Sequence, residues 1–367
     1  MQLQLERRVT PSFRMMLLSP LIAVGLTLAT GAIIFASLGK DPLAGLYFFF
    51  FEPLTVWWSF EEVLVKMTPL ALIAAGLTIC FLANVWNIGA EGQFIFGAII
   101  GAILPVLFPE LQGYYVLPIM LLMGFLGGMA YGLVPALFKV RFGANEILTS
   151  LMLVYVAELF LDWLVRGPWR NPGGLNFPET RQFHEFASMP IIGDDRLNIG
   201  FLIAVAVSIL LFVFLTWTFS GFGVRLSGNA PKAAKFAGFD RNKTTYFVLG
   251  LSGALAGLAG IIEVAGPIDQ LRPAISPGYG FTAIIVAFLG RLNPIGTLVA
   301  AFVLSITYIG GESAQITIGV TDKITRVFQG ILLFYVLACD TLIVYRLRLR
   351  RATPPTMDGS NPQEASS

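Results

Sequence analysis

Residues 63–83 read VLVKMTPLALIAAGLTICFLA, and this apolar run with a single charge decides the fold. A helix needs about 20 mostly apolar residues to cross a bilayer, and this run supplies them. Because hydrocarbon offers no water, the backbone of such a run must satisfy its own hydrogen bonds, as a helix does. Residues 63–83 are therefore predicted to form a membrane-spanning helix.

Similar runs recur along the whole chain. Of its 367 residues, 56% are apolar and 13% are charged, against roughly 25% charged in an average soluble domain. This composition excludes a soluble globular protein, a disordered chain and a disulfide-stapled secreted domain. It predicts an all-α polytopic membrane protein with about ten transmembrane helices. The predicted spans are 17–38, 63–83, 92–109, 114–138, 146–166, 199–219, 244–264, 278–290, 294–310 and 324–345.

The basic residues predict the orientation of these spans. Fifteen of the 24 lysines and arginines fall on one alternating set of loops and termini, and such residues collect on the cytoplasmic side. Both termini are therefore predicted to be cytoplasmic, loop 167–198 to lie outside, and loop 220–243 inside. The predicted domains are a cytoplasmic segment (1–16), a transmembrane domain (17–345) and a disordered cytoplasmic tail (346–367). The aromatic-rich segment 43–60 is predicted to be an interfacial helix.

Several kinds of chemistry are excluded by residues that the chain lacks. His184 is the single histidine, so a metal or haem site built on imidazoles is not expected. Cys80 and Cys339 lie inside apolar runs and are predicted to be packing residues. Phosphate-binding and hydrolase motifs are missing, so any ATP must be hydrolysed by another chain. The net charge of +2 does not indicate nucleic acid as a partner.

The predicted cytoplasmic loop contains SGNAPKAAKFAGF at residues 227–239. Asn229 or Ala230 can begin a short helix with Pro231 in its first turn, and Gly238 can end it. The small side chains within it would let another protein approach the backbone closely. A plain charged connector explains the same residues equally well, so both interpretations stay open.

A second polar interruption reads NVWNIGAEGQF at residues 84–94. Broken helices in membrane proteins commonly mark transport pathways, and Trp86 and Phe94 offer ring faces for a flat base or sugar. The alternative is an ordinary turn with Trp86 as an interface anchor and Glu91 at a helix N-terminus. Residues 266–281 form another Gly/Pro-interrupted segment of opposite polarity. Together the two interruptions suggest an inverted repeat that relates spans 2–5 to spans 7–10.

Acidic residues within spans are costly and point to function or pairing. Glu158, Asp162 and Arg166 share one face of the fifth span, where Asp162 is expected to pair with Arg166. Glu263 is expected to be solvated at the outer end of the seventh span. Asp340 is expected to pair with the terminal arginines.

Three motifs together resemble bacterial ABC importer permeases of the branched-chain amino acid, simple sugar and nucleoside superfamily. Ala233-Ala234 followed by Gly238 resembles their coupling segment, although Lys232 stands where an acidic residue is usual. Residues 84–93 resemble the Asn-x-Gly-x-Glu-Gly-Gln signature of nucleoside and simple-sugar permeases. Residues 276–281, 287–290 and 293–296 (SPGYGF, AFLG and NPIG) are also similar to that family. The resemblance covers about residues 60–345, and the nucleoside branch, whose binding protein is of the basic membrane lipoprotein type, fits best.

This resemblance implies a non-enzymatic transport subunit of an ATP-driven importer, most similar to those for nucleosides. The partners it implies are ABC ATPase subunits that carry the ATP and Mg, a second and different permease, an extracytoplasmic substrate-binding protein and membrane lipid. It implies a place in the bacterial cytoplasmic (inner) membrane.

Two groups of residues are expected to carry this function. The residues expected to contact the ATPase are Asn229, Pro231, Lys232, Ala233, Ala234 and Gly238. The residues expected along the substrate path are Trp86, Asn87, Glu91, Gln93, Phe94 and Tyr279. The alternatives are a simple-sugar ABC permease and an ion-coupled secondary transporter using Glu158 and Asp162, which would leave the Ala-Ala-x-x-x-Gly loop unexplained.

Overall fold

The computed structural model describes residues 2–7, 13–193, 196–321 and 323–350. Most of these residues are helical, and the remainder includes two short strands, β1 (Gln2–Arg7) and β2 (Tyr345–Arg350). The α-helices are α1 (Phe13–Ser37), α2 (Pro42–Leu46), α3 (Glu52–Thr55), α4 (Trp57–Leu82), α5 (Ala90–Gly101), α6 (Ile103–Leu107), α7 (Val116–Phe142), α8 (Glu146–Arg166), α9 (Gly200–Trp217), α10 (Phe219–Asn229), α11 (Pro231–Phe236), α12 (Arg241–Glu263), α13 (Tyr279–Leu289), α14 (Pro294–Ile318) and α15 (Lys323–Val344).

The described residues up to Thr30 and from Ile331 onward form one compact unit. In this unit β1 pairs with β2 in antiparallel register, with Leu3 opposite Leu349. Both segments alternate polar and apolar residues, which is the period of a strand. The tail predicted to be disordered from residue 346 therefore begins as a strand, and its remainder, 351–367, lies outside the described residues.

The second unit runs from Gly31 to Gly330 and holds most of the predicted spans. Among the described residues, six helices are long and apolar enough to cross a membrane: α4, α7, α8, α9, α12 with its extension to Ile268, and α14. The predicted count of ten is not confirmed, because four other apolar helical stretches are shorter: 21–37, 90–101, 279–289 and 326–336. The inverted repeat also stays a prediction. The chain is thus a helical, multi-pass membrane protein.

The aromatic segment 43–60 does not form one interfacial helix. Between α2 and α3 it contains a π-helical turn, Tyr47–Phe51, and α4 begins at Trp57. Phe49 is fully buried, with its ring 4.5 Å from that of Phe328. Part of this segment therefore packs into the protein, while Trp57 and Trp58 stay exposed.

Helices α4 and α12 form the centre of the second unit, since 89% of the apolar stretch of each is buried. The backbones of α7 and α12 touch through glycines. A Cβ on Gly257 would lie only 2.3 Å from the carbonyl oxygen of Gly124, and one on Gly128 would lie 2.2 Å from that of Gly253. Small residues at such interfaces are what membrane helices use to pack without a hydrophobic driving force.

Candidate functional site

In the second unit, the short apolar helices α5 and α13 each begin after a non-helical segment, which we call a break. α4 ends at Leu82, Asn84 has a left-handed backbone (φ 54°), and α5 starts at Ala90. Gly278, also left-handed (φ 102°), directly precedes α13. Glycine has no Cβ and adopts this conformation without strain. The two interruptions predicted from the sequence are therefore real breaks between helices.

The first turns of α5 and α13 meet at Glu91. The backbone N–H of Gly280 donates to Glu91 Oε2 at 2.5 Å, and a Cβ on Gly280 would lie 2.2 Å from the Glu91 nitrogen. A carboxylate is favourable at helix N-termini, where backbone N–H groups lack partners within the helix. Glu91 is buried and joins two helix starts, so it has the helix-terminal position that the sequence offered as one alternative.

The side-chain amides of Asn87 and Gln93 hydrogen-bond to each other across the first break, and we call this pair the Asn87 clasp. Asn87 Nδ2 donates to Gln93 Oε1 at 2.8 Å and to Ser252 Oγ on α12 at 3.0 Å, and Gln93 Nε2 donates to Asn87 Oδ1 at 3.2 Å. Both amides are buried. Both of these buried amides therefore have protein partners, and the clasp holds the non-helical segment against the central helix.

The aromatic residues predicted for the substrate path fall into two places. Phe94 is buried, with its ring 6.0 Å from that of Tyr279. Trp86 is 37% exposed and stacks on Phe288 at 6.1 Å. The structure thus brings Glu91, Phe94 and Tyr279 together and leaves Trp86 in a separate group. Their contact with a substrate stays a prediction.

A buried polar cluster that the sequence did not predict surrounds Tyr279. The Tyr279 hydroxyl donates to Glu263 Oε1 at 3.2 Å, and Lys66 Nζ lies 5.8 Å from the centre of the Tyr279 ring. The Tyr308 ring lies 5.9 Å from the same ring, and the hydroxyls of Tyr308 and Thr282 are 2.8 Å apart. A lysine inside an apolar run was the signal available in the sequence.

The expectation that Glu263 is solvated was wrong, because only 3% of it is exposed. The helical backbone does not stop at this residue but continues as a π-helical turn, Val264–Ile268. Single π-turns occur frequently at functional sites. Glu263 therefore faces into the protein at the point where α12 loses regular geometry.

The predicted outer loop, 167–198, packs on the segment that follows Glu263. Thr180 N–H donates to the Leu271 carbonyl at 3.0 Å, and Met189 N–H donates to that of Ala265 at 2.6 Å. Burial raises the pKa of the Asp269 carboxyl, and a hydrogen bond from Ser188 acts in the opposite direction. The described part of this loop thus covers the break between α12 and α13.

The predicted cytoplasmic helix is present as α11, with Pro231 in its first turn and left-handed Gly238 (φ 86°) shortly after its end. Of the two predicted starts, Ala230 is its N-cap, since Asn229 is the last residue of α10. Lys232 and Ala233 are exposed, whereas Ala234 is buried. Phe236 is 94% exposed, a feature that the sequence interpretation missed.

A cavity of about 790 Å³ lies beside α11. Its lining includes Lys232, Lys235, Asp240 and Arg241. Helix α10, which precedes α11, contacts α4 where Gly228 lies against Leu82, the last residue of α4. The segment from α10 to α11 is therefore linked physically to the first break.

The acidic residues of α8 are arranged as predicted. Arg166 Nε donates to both carboxylate oxygens of Asp162, at 2.7 and 2.8 Å, on an exposed face. Among the residues that the structure describes, no group of three or more His, Cys, Asp or Glu side chains could hold a metal ion. The side chain of Asp340 lies outside the described residues.

Comparison with known proteins gives one family and several similar permeases. The family described as "Branched-chain amino acid transport system / permease component" matches residues 59–337. A glucose ABC transporter permease of Haloferax volcanii is 33% identical over 357 residues, covering 94% of this chain and 93% of that protein. A nucleoside ABC transporter permease of Lactococcus lactis is 27% identical over 87% of this chain and 90% of its own length. A guanosine ABC transporter permease of Bacillus subtilis is 27% identical over 87% of this chain and 92% of its own length.

Proposed function

This chain belongs to the family of branched-chain amino acid transport system permease components, and from that premise we propose that it is the permease subunit of an ATP-driven ABC importer. The observation that carries the proposal is α11. This short helix lies outside the predicted spans and exposes Ala233 and Phe236 to solvent. Because α11 lies outside the predicted spans, a partner protein rather than lipid would cover the exposed ring of Phe236.

We propose that α11 docks in a cleft of a separate ATPase subunit, which holds the ATP and Mg. Ala233 would permit close backbone approach, Phe236 would fill an apolar pocket, and Lys232 would contact the rim. Ala234, which is buried, would pack α11 against the rest of the permease. Asn229, Pro231 and Gly238 would set the ends and direction of this short segment.

The coupled movement would pass from α11 through α10 to the end of α4. Gly228 lies directly against Leu82, so a shift of α10 towards α4 would displace the start of the first break. That break carries Asn87, which is bonded to α12, and leads to Glu91, which is bonded to α13. The ATPase can drive alternating access only if its two states bind the two arrangements of these helices differently.

The remaining partners follow the same proposal. A substrate-binding protein would dock outside, with loop 167–198 as its surface, and a second, different permease would complete the pathway. Both termini would face the cytoplasm, and the complex would lie in the bacterial cytoplasmic membrane. The transported molecule would pass Trp86, Asn87, Glu91, Gln93, Phe94 and Tyr279.

Nucleosides are the proposed substrate class, with simple sugars as the alternative. The similar permeases are named for glucose, nucleosides and guanosine. Glucose and ribonucleosides such as guanosine contain a ring with neighbouring hydroxyl groups. A substrate carrying such a ring is therefore the broader proposal, and a nucleoside is the narrower one.

Affinity purification of this chain from its native membrane, with mass spectrometry of the retained proteins, tests the function. We expect an ATPase and a second permease to co-purify. The Ala233→Trp variant should lose the ATPase, whereas Leu159→Ala on the exposed face of α8 should retain it. A chain that purifies alone and moves substrate down an ion gradient would contradict the importer and favour a secondary transporter.

A further inference from the structure

We propose that Lys66, Glu263, Tyr279 and Tyr308 form a binding subsite for the ring hydroxyls of the transported molecule. This inference rests on the proposed function and assigns the recognition of hydroxyl groups to named side chains. Of the four, the substrate path predicted from the sequence included only Tyr279. The subsite would lie at the outer part of the pathway.

Four separate helices bring these side chains together. Lys66 comes from α4, Glu263 from α12, Tyr279 from α13 and Tyr308 from α14. Glu263, Tyr279 and Tyr308 are all buried, and Lys66 is half-buried. Ionisable groups within membrane-spanning segments are expensive and usually mark substrate or ion pathways. Packing alone would be served better by apolar side chains at this junction.

The backbone around the subsite can rearrange more readily than a regular helix. Glu263 is followed by the π-helical turn Val264–Ile268 and by left-handed Asp269. Tyr279 is preceded by left-handed Gly278. Discontinuous helices at a pathway commonly carry the binding groups of transporters. Glu263 and Tyr279 thus lie at the two edges of one such discontinuity.

The polar groups satisfy one another in this conformation. The Tyr279 hydroxyl donates to Glu263, and the hydroxyls of Tyr308 and Thr282 pair. When α12 and α13 separate, the bond between Tyr279 and Glu263 can be exchanged for bonds to a substrate, so neither buried group is left unpaired. The described part of loop 167–198 packs on the intervening segment, so its movement would open the subsite.

The chemistry of the cluster suits a neutral ring with several hydroxyl groups. A carboxylate can accept hydrogen bonds from two hydroxyls, an ammonium group can donate to their oxygens, and the Tyr279 ring can pack on the apolar face of a sugar. Lys66 and Glu263 are residues of opposite charge, and both contact Tyr279. Nearby, Glu62 faces Arg196 at 3.7 Å. Donors and acceptors of both charge types therefore surround the Tyr279 ring.

Uptake by proteoliposomes tests the subsite. They would contain the complete transporter purified with this chain, its binding protein and ATP on the ATPase side. The probes are adenosine with 2′,3′-dideoxyadenosine, and glucose with 2-deoxyglucose. We expect the wild type to favour the fully hydroxylated member of the transported pair by at least about tenfold, the effect of losing one hydrogen bond to a charged group.

The variants Glu263→Gln and Tyr279→Phe should reduce this preference at least about threefold, as expected for a weakened hydrogen bond. The control Tyr131→Phe removes a buried hydroxyl that donates to the Leu153 carbonyl at 2.7 Å on the far side of α5, and should keep the wild-type ratio. Because the binding protein is the same throughout, a changed ratio belongs to the permease. A purely structural role would alter the rates of both probes and leave their ratio unchanged.

The outcomes separate the subsite from the proposed function. An unchanged ratio in both variants, or a wild type that does not distinguish the probes, overturns the subsite while the importer stands. If Glu263→Gln fails to reach the membrane, the ratio of Tyr279→Phe decides. A wild type without ATP-dependent uptake of either pair overturns the proposed substrate class and the subsite with it. The pair that is transported identifies the substrate as a nucleoside or a hexose.

Discussion

Gly228 of α10 lies so close to Leu82, the last residue of α4, that a Cβ on Gly228 would be 2.0 Å from the Leu82 carbonyl oxygen. A backbone atom cannot move aside as the end of a flexible side chain can. Gly228 therefore permits a direct contact between the segment that carries α11 and the helix that precedes the first break. The contact requires the absence of a side chain at residue 228.

Replacing Gly228 with valine should force α10 away from α4 and weaken coupling. We expect ATP-dependent uptake to fall by at least about tenfold, since misplacing a functional element by about an ångström can cost more than that. The ATPase should still co-purify, because α11 itself is unchanged. Gly330→Val is the matched control, since a Cβ there has open space around it. Wild-type uptake by Gly228→Val would contradict the proposed link.

Phe236 should contribute most of the affinity between α11 and the ATPase. It is 94% exposed in this chain, and buried aromatic anchors commonly dominate protein interfaces. Phe236→Ala should weaken ATPase binding by about tenfold or more, which corresponds to about 1.4 kcal/mol. The measurement is the amount of ATPase retained with the purified permease across a dilution series.

Phe142 provides the control for this experiment. It ends α7 on the same predicted side and is 71% exposed, so Phe142→Ala removes a comparable ring away from α11. Equal retention of the ATPase by both variants would show that Phe236 is not an anchor. Loss of binding in both would point to a wider docking surface.

The sequence predicts the central helices better than the junctions between them. α4 follows directly from the run 63–83, and α11 from a proline and a glycine at fixed places. These features depend on neighbouring residues only. The prediction failed for Glu263, because its burial depends on α13 and on a loop far away in the sequence. The strand pair β1 and β2 was missed for the same reason, since its strands lie at opposite ends of the chain.

In the candidate site, too, the sequence predicts local features better than contacts between distant residues. The sequence proposed Glu91, Phe94 and Tyr279 as candidates, and these residues lie next to glycine-rich breaks. Lys66 and Tyr308 were not identified, because each lies within an otherwise ordinary helix. The charge of Lys66 inside an apolar run was a signal in the sequence, whereas only the approach of α14 to Tyr279 distinguishes Tyr308 from a packing side chain. Local patterns therefore located the breaks, and the tertiary contacts located the polar cluster.

Replacing Trp86 tests whether this residue lies in the substrate path or anchors the protein at the membrane interface. Its ring is partly exposed and stacks with Phe288. If Trp86 contacts the substrate, Trp86→Ala should reduce uptake several-fold while the amount of ATPase retained stays constant. Trp217→Ala, which removes an exposed ring at the end of α9, should leave uptake unchanged. Unchanged uptake by Trp86→Ala would support the anchor.

The Asn87 clasp should stabilise the fold at the first break. Asn87→Ala leaves the buried amide of Gln93 and the hydroxyl of Ser252 without their Asn87 partner. An unsatisfied buried polar group costs about 1–3 kcal/mol, so the thermal unfolding midpoint of the purified chain in detergent should fall by several degrees. Replacing both residues, Asn87→Ala with Gln93→Leu, should destabilise the protein less than the sum of the single variants, because no buried amide then remains without its partner.

The control Asn242→Ala changes an exposed residue in the first turn of α12 and should leave the midpoint unchanged. Additive losses in the double variant would mean that the two amides act independently, and the clasp would not hold the break.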